Sequence, residues 1–275
     1  MDSVKLKSLA AHAAEIRKGA LTAVYSANSG HPGGSLSIAD ILSYLFFEKM
    51  NIDPADPKKP DRDRFVLSKG HTAPALYAAL AEKGFFPKEE LKTFRHKDSR
   101  LQGHPDMKGV PGVDMSTGSL GLGVSAAGGI AKSAKISGDS YRVYAILGDG
   151  ELDEGQVWEA AMFAAHHNLD NLTLFIDWNG LQIDGDITKV MNPTPIDKKY
   201  EAFNFNVSVI DGHDFEAIDA AVKNAEATKG KPTAIICKTI KGKGVSYMEN
   251  AAEWHGMAPN KEQYDTAIEQ LTTNK

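Results

Sequence analysis

The sequence is short of several things, and each shortage closes off a class of explanation. It holds a single cysteine, Cys237, inside the apolar run TAIIC, so no internal disulfide can form. No apolar run approaches the ~18 residues needed to cross a bilayer, and the N-terminus lacks the charged-then-apolar pattern of a secretory leader. The formal net charge of -5 is mild and the basic residues are scattered, which leaves no patch for nucleic acid or for a membrane surface. Repeats, low-complexity tracts and interdomain linkers are missing too. These absences point to a cytoplasmic protein whose partners include neither nucleic acid nor membrane. What remains is ordinary globular material: 275 residues, 42% hydrophobic and 24% charged, enough for one large domain or two small ones.

Apolar side chains at Leu6, Leu9, Ala13, Ile16, Ala20 and Val24 follow a three-to-four spacing, which predicts a helix over the first 25 residues. The glycine and proline cluster SANSGHPGG is expected to end it in a tight loop, with a new helix starting at Ser37 in SIADILSYLFFEKM. RFVLS reads as a short buried strand and APALYAALAEKG as a helix, and Pro87 is placed to open another helix running through Arg95. Residues 101–129 read as a long glycine-rich loop leading into the small-residue helix VSAAGGIAKSAKIS. Strand signals at VYAIL, LTLFID, VSVID and TAIICK then alternate with the helical patterns EGQVWEAAMFAAHHN and FEAIDAAVKNAEAT, and KEQYDTAIEQLTTNK closes as a helix with a frayed tail. Such alternation predicts an α/β fold, a mostly parallel sheet with helices on both faces. Ligands of open sheets of this kind sit at the carboxyl ends of the strands.

Asp149 lies at one such end, in AILGDGELDEG. On its own a GDG after a strand is an acidic turn entering a helix. The strand that follows ends in WNGLQIDG, however, which puts Asn179 thirty positions on (179 − 149) and at the tip of the expected neighbouring strand. A carboxylate, an amide oxygen and a backbone carbonyl would supply half of the oxygen octahedron that magnesium demands, leaving room for phosphate oxygens and water. Gly148 and Gly150 would let backbone N–H groups approach a diphosphate, and a helix starting near Glu154 would offer it a positive end. Glu151 and Asp153 would repel a diphosphate and are expected to face solvent.

Of nine histidines, His12, His96, His166 and His167 read as surface or satisfied core residues. His31, His71, His104 and His255 each sit in a glycine-flanked loop, where a rigid scaffold positions functional groups. Imidazoles titrating near neutral pH could hydrogen-bond ligand hydroxyls and shuttle protons. His213 in DGHD is explained equally well by a helix N-terminal turn. GLGVSA (121–126) matches a dinucleotide fingerprint but lacks the preceding strand which that motif requires.

GDGELDEG followed by WNG resembles the thiamine diphosphate motif, and the ordered set SANSGHPGG, DRDRFVLSKGH, QGHPD, TGSLGLG, GDGELDEGQVWEA, DWNGLQIDG, DGHD, KTIKGKG and WHG is similar to transketolase across residues 26–256. The resemblance implies that residues 1–275 form one diphosphate-binding domain. It implies that Asp149, Asn179 and the Leu181 carbonyl hold Mg²⁺, with Ca²⁺ an alternative. Gly148 and Gly150 would lie against the diphosphate and Gly118, Ser119 and Leu120 beside the thiamine rings. His31 and His255 would transfer protons, while His71 and His104 would orient the donor sugar and contact the cofactor. Glu154, touching the cofactor and sharing in catalysis, and Glu159 would stand at a subunit interface linking paired sites. Where the family usually has glutamine this chain has Leu122. The glutamate that activates the cofactor belongs to a pyrimidine-binding domain that the sequence lacks, so a separate C-terminal subunit is expected to supply it in an α2β2 heterotetramer acting on sugar phosphates. The alternatives are a catalytically silent cofactor-binding subunit or one of the 2-oxoacid decarboxylase type. The loop from Lys241 and Lys243 to His255 is expected to order only with cofactor.

Overall fold

A computed structural model describes residues 1–273. A long helix, α1 (Ser3–Ala27), leads into two short ones, α2 (Pro32–Ser37) and α3 (Ala39–Tyr44). Then come β1 (Arg64–Leu67), α4 (Ala73–Lys83), α5 (Leu122–Ser137), β2 (Val143–Gly148), α6 (Gly155–His166) and β3 (Leu172–Trp178). A two-stranded hairpin, β4 (Leu181–Gln182) with β5 (Gly185–Asp186), precedes α7 (Ile187–Val190), α8 (Ile196–Ala202), β6 (Asn206–Asp211), α9 (Phe215–Ala227), β7 (Thr233–Lys238) and α10 (Lys261–Thr273). The five long strands form one parallel sheet in the order β1-β2-β3-β7-β6. The frayed tail expected after α10 falls on residues 274–275, outside the described residues. Among the described residues no helix is long and apolar enough to cross a membrane.

Successive strand residues point to opposite faces, and the core divides accordingly. Tyr144 and Ile146 of β2 join the cluster under α1, α3, α4 and α9, whereas Val143, Ala145 and Leu147 join the one under α5, α6 and α8. Burial of each large apolar side chain contributes about 1.5–3 kcal/mol before chain entropy is counted. Strands β2, β3 and β7 therefore read as largely continuous apolar runs, as both-face burial requires. A third cluster of Leu21, Leu36, Val245, Met248, Trp254, Ala267 and Leu271 ties α10 and the segment after β7 to the first two helices.

Three local readings change. The SANSGHPGG cluster does not remain a loop up to Ser37: Pro32 opens α2, and Gly33 and Gly34 are buried within it. Proline suits a first helical turn, where its missing N–H is no loss. Gly33 is required by close approach, since a Cβ there would stand 2.8 Å from the Trp254 carbonyl oxygen. After Pro87 only a short 3-10 turn forms, over Lys88–Thr93, instead of a helix through Arg95. The glycine-rich loop ends at 121, because α5 starts at Leu122. No strand precedes α5 directly, which removes the context a dinucleotide site needs.

Candidate active site

Strands β2 and β3 are neighbours in register, Gly148 beside Asp177, so the residues that follow them emerge side by side. Asp149 is 2% exposed, and both its oxygens are held: Oδ1 accepts the Gly150 N–H at 2.9 Å and Oδ2 the Gly180 N–H at 2.6 Å. The second bond ties the β2 loop to the β3 loop. Burial, then the neighbouring Asp177 carboxylate, push the Asp149 carboxyl up to about 7. Asn179 donates from Nδ2 to Asp177 Oδ2 at 2.8 Å, which leaves its Oδ1 to face the Leu181 N–H at 3.2 Å. Asp149, Asn179 and Leu181 all border one cavity of about 280 Å³. Among the described residues no group of three His, Cys, Asp or Glu could hold a metal, so a cation here would rest on hard oxygens of three kinds. A buried carboxylate whose charge is strained by burial and by a second carboxylate fits a hard divalent cation such as magnesium.

The four loop histidines line the same cavity. Ring centroids of His31, His71 and His255 form a near-equilateral triangle: 5.0 Å from His31 to His71, 5.3 Å from His31 to His255 and 5.2 Å from His71 to His255. His31 Nδ1 is buried without a hydrogen-bond partner. The His104 ring lies where a Cβ on Gly118 would come within 3.2 Å, so glycine makes room for it. These rings do not titrate near neutral pH as expected. Burial first, and then nearby positive charge, lower His31 to about 4 and His255 to about 3, and hold His71 well below its ordinary value. His104 is lowered for the same reason, with Arg95 as the charge. At pH 7 each ring thus offers one N–H and one lone pair.

Glu151 corrects the sequence reading most sharply. It is 1% exposed, not solvent-facing. Its Oε1 accepts from Ser68 Oγ at 2.5 Å and from the Gly121 N–H at 2.9 Å, and its Oε2 accepts the Gly148 N–H at 3.1 Å. Burial raises its pKa, while these three donors oppose the rise. Donors arriving from distant parts of the chain, Ser68 and Gly121, make its burial possible. The Gly148 and Gly150 N–H groups are bonded to Glu151 and Asp149, and both glycines border the cavity. Asp153 is exposed, as expected.

Positive charge comes instead from two buried lysines. Lys69 Nζ pairs with Asp177 Oδ2 at 2.6 Å and donates to the Gly34 carbonyl at 3.0 Å. Lys241 Nζ donates to the Leu181 carbonyl at 2.9 Å and meets His255 Nδ1 at 3.1 Å. Burial lowers Lys241 to about 8, against the pull of Asp149. Asp177, fully buried, is also bonded by Ser37 Oγ at 2.7 Å and by Thr239. Despite its burial, Lys69 and these bonds keep its pKa low. Both lysines sit in the glycine-flanked KGH and KGKG loops, so the rule that singled out the histidines would have found them. Asp177 opens the DWNGLQIDG motif, but nothing in the sequence assigns it a role.

Gly118 and Leu120 border the cavity, but Ser119 and Glu154 do not. Glu154 is exposed at the head of α6, and Glu159 lies on the outer face of that helix near Met162 and Phe163. Leu122 is 54% exposed. The segment expected to order with cofactor is seated by the chain's own groups: Gly242 N–H on the Gly33 carbonyl at 3.0 Å, Asn250 N–H on the Lys241 carbonyl at 2.9 Å, and buried Val245, Met248 and Trp254.

A parallel sheet with hard-oxygen donors after two adjacent strands, and with buried lysines and neutral imidazoles around one cavity, defines a diphosphate-binding α/β domain of the thiamine-dependent class. Residues 8–274 match the family described as "Transketolase, thiamine diphosphate binding domain". The chain belongs to the transketolase family. It is 48% identical over 257 residues to the 6-deoxy-6-sulfo-D-fructose transketolase subunit of Clostridium sp. (strain MSTE9), covering 93% of each chain. It is 40% identical to an apulose-4-phosphate transketolase subunit of Phocaeicola vulgatus, covering 98% of this chain and 95% of that one. Among solved structures, the transketolase of Campylobacter jejuni superposes with a TM-score of 0.91 at 36% identity, over 97% of this chain but 43% of that one.

Proposed function

We propose that this chain is the diphosphate-binding subunit of a split transketolase, moving a two-carbon ketol unit from a ketose phosphate to an aldose phosphate. The observation that carries this reading is the meeting, in one cavity, of Asp149, Asn179 and the Leu181 carbonyl with His31, His71, His104 and His255. Asp149, Asn179 and Leu181 would hold Mg²⁺, or Ca²⁺ in its place, with Lys241 adding positive charge beside a diphosphate. Gly118, Ser119 and Leu120 would flank the rings. Bound there, thiamine diphosphate supplies the electron sink that carbon–carbon cleavage needs.

The chain's own residues bind and move protons. His31, with its unpartnered Nδ1, and His255 would hold and transfer protons at substrate hydroxyls. His71 and His104 would orient the donor by hydrogen bonds from neutral rings. Glu154 and Glu159, exposed on the α6 side, would face a neighbouring subunit. The split is supported by coverage: relatives named as subunits are matched over 93% and 95% of their length, whereas the mouse transketolase is matched over 43%. A C-terminal partner in an α2β2 complex, in the cytoplasm, completes the reading.

The test is reconstitution with the partner chain, then assay with xylulose 5-phosphate and ribose 5-phosphate, with pyruvate as the control donor. Ketol transfer that needs both chains and is lost in His255→Ala supports the reading. Turnover unchanged in that variant, or turnover by this chain alone, overturns it.

A further inference from the structure

Behind the cavity, a buried chain of charged groups ends on the backbone of the loop that follows β7. Arg17 of α1 grips both carboxylate oxygens of Asp40 on α3, with Nη1 to Oδ1 at 3.2 Å and a closer contact from Nη2 to Oδ2, and its Nε donates to the Leu36 carbonyl at 3.2 Å. Asp40 Oδ2 meets His213 Nδ1 at 2.7 Å, and Nε2 of the same ring is 2.9 Å from the Ile240 amide nitrogen. A backbone N–H only donates, so Nε2 must carry the lone pair, and the ring proton must sit on Nδ1 and be given to Asp40. A protonated ring would have no lone pair for Ile240. Burial alone would raise the Asp40 carboxyl, but Arg17 and the His213 bond outweigh it and hold it low, so the acceptor is a carboxylate.

Ile240 precedes Lys241, whose ammonium reaches Leu181 and His255. The backbone here is clamped at three points: Thr239 through its hydroxyl on Asp177, Ile240 through His213, and Gly242 on the Gly33 carbonyl. The middle clamp comes from a side chain that, like Asp177, does not border the cavity. We propose that His213 is a positioning residue: locked by Asp40 in the Nδ1–H form, it fixes the Ile240 amide and thereby sets where the Lys241 ammonium stands. His213, whose sequence context fits a helix N-terminal turn equally well, acts through a contact 27 positions away.

Two substitutions separate this role from a merely structural one. In His213→Gln the side-chain oxygen can take the place of Nε2 and accept from Ile240 while losing Asp40. In His213→Asn the amide can donate to Asp40 but leaves the Ile240 N–H unpaired. The readout is affinity for thiamine diphosphate with Mg²⁺, by calorimetry on the complex with the partner chain, and it rests on the functional reading above. His213→Asn is expected to weaken binding about tenfold and His213→Gln far less, and in a Lys241→Met background His213→Asn should add nothing. The reverse order of the two variants, or full additivity with Lys241→Met, overturns the positioning role. Independently of any cofactor, ¹⁵N shifts of histidine-labelled chain should give His213 as the Nδ1–H tautomer, and the Nε2–H form would refute it. Failure of Lys241→Met to weaken binding would count against the functional reading, whereas the tautomer bears on this inference alone.

Discussion

Glu151→Ala probes the floor of the site. The carboxylate serves three buried donors, of which the Ser68 hydroxyl can rotate to seek another acceptor while the Gly121 and Gly148 N–H groups cannot. A buried N–H left unpaired costs about 1–3 kcal/mol, so two cost roughly 2–6 kcal/mol. Against a total stability of about 5–15 kcal/mol this is a large fraction. Some is returned, because burial disfavours the charge that is removed. In urea, with a slope of about 3 kcal/mol/M or less, the midpoint should fall by about 1 M with no change of slope. Glu151→Gln should fall about half as far: its oxygen can keep Ser68 and Gly121, but its NH₂ would face the Gly148 N–H, donor against donor. Gly121 heads α5 with φ 81° and Gly148 precedes Asp149, so both variants should also weaken cofactor binding by the complex. An Ala variant whose midpoint stays within about 0.2 M of the parent would refute the view that Glu151 joins the two glycine loops.

The histidine cluster makes stability depend on pH. His31 and His255 have folded-state values of about 4 and about 3, below the ordinary value near 6.5, so the unfolded chain binds protons first. Their contribution is complete above about pH 6.5 and is lost as pH falls toward 4, and urea midpoints of the parent minus those of a His31→Asn, His255→Asn double variant should show that slope. A difference flat with pH would contradict it. Gly33→Ala must push a Cβ to 2.8 Å from the Trp254 carbonyl oxygen and 3.0 Å from Lys241, and thermal melting should register a loss of about 1–3 kcal/mol. Leu122→Gln, at an exposed site, should shift stability by no more than about 0.5 kcal/mol, and a larger change would mean that the leucine packs against something. Removing divalent metal from the complex should abolish thiamine diphosphate binding, and Asp149→Asn should reproduce that loss in excess Mg²⁺; calorimetry showing undiminished binding would contradict the cation site.

Most of the fold was legible because its signals are local. The apolar runs at 143–147, 172–177 and 233–237 all became central parallel strands, and the spacing in residues 6–24 became α1. The failures have physical causes as well. Glycine and proline composition around His31 cannot distinguish a loop from a close-packed helical turn, because what decides is how near Trp254 and Lys241 come to Gly33. Pro87 offered a helix start, but no continuous apolar face followed to reward propagation beyond one turn.

The site divides in the same way. Asp149, Asn179 and the four loop histidines could be named from the sequence, because residue type, position after a strand and flanking glycines are one-dimensional facts, whereas Leu181 could be named only through the resemblance to transketolase. Only the tertiary structure decided that Glu151 points inward, that the Gly148 and Gly150 amides are already engaged, that Lys69 and Lys241 supply the buried charge and that the imidazoles stay neutral. Each of those outcomes depends on which donors and charges arrive from remote segments and on how far water is excluded. Both are properties of the assembled packing and of no stretch of chain alone.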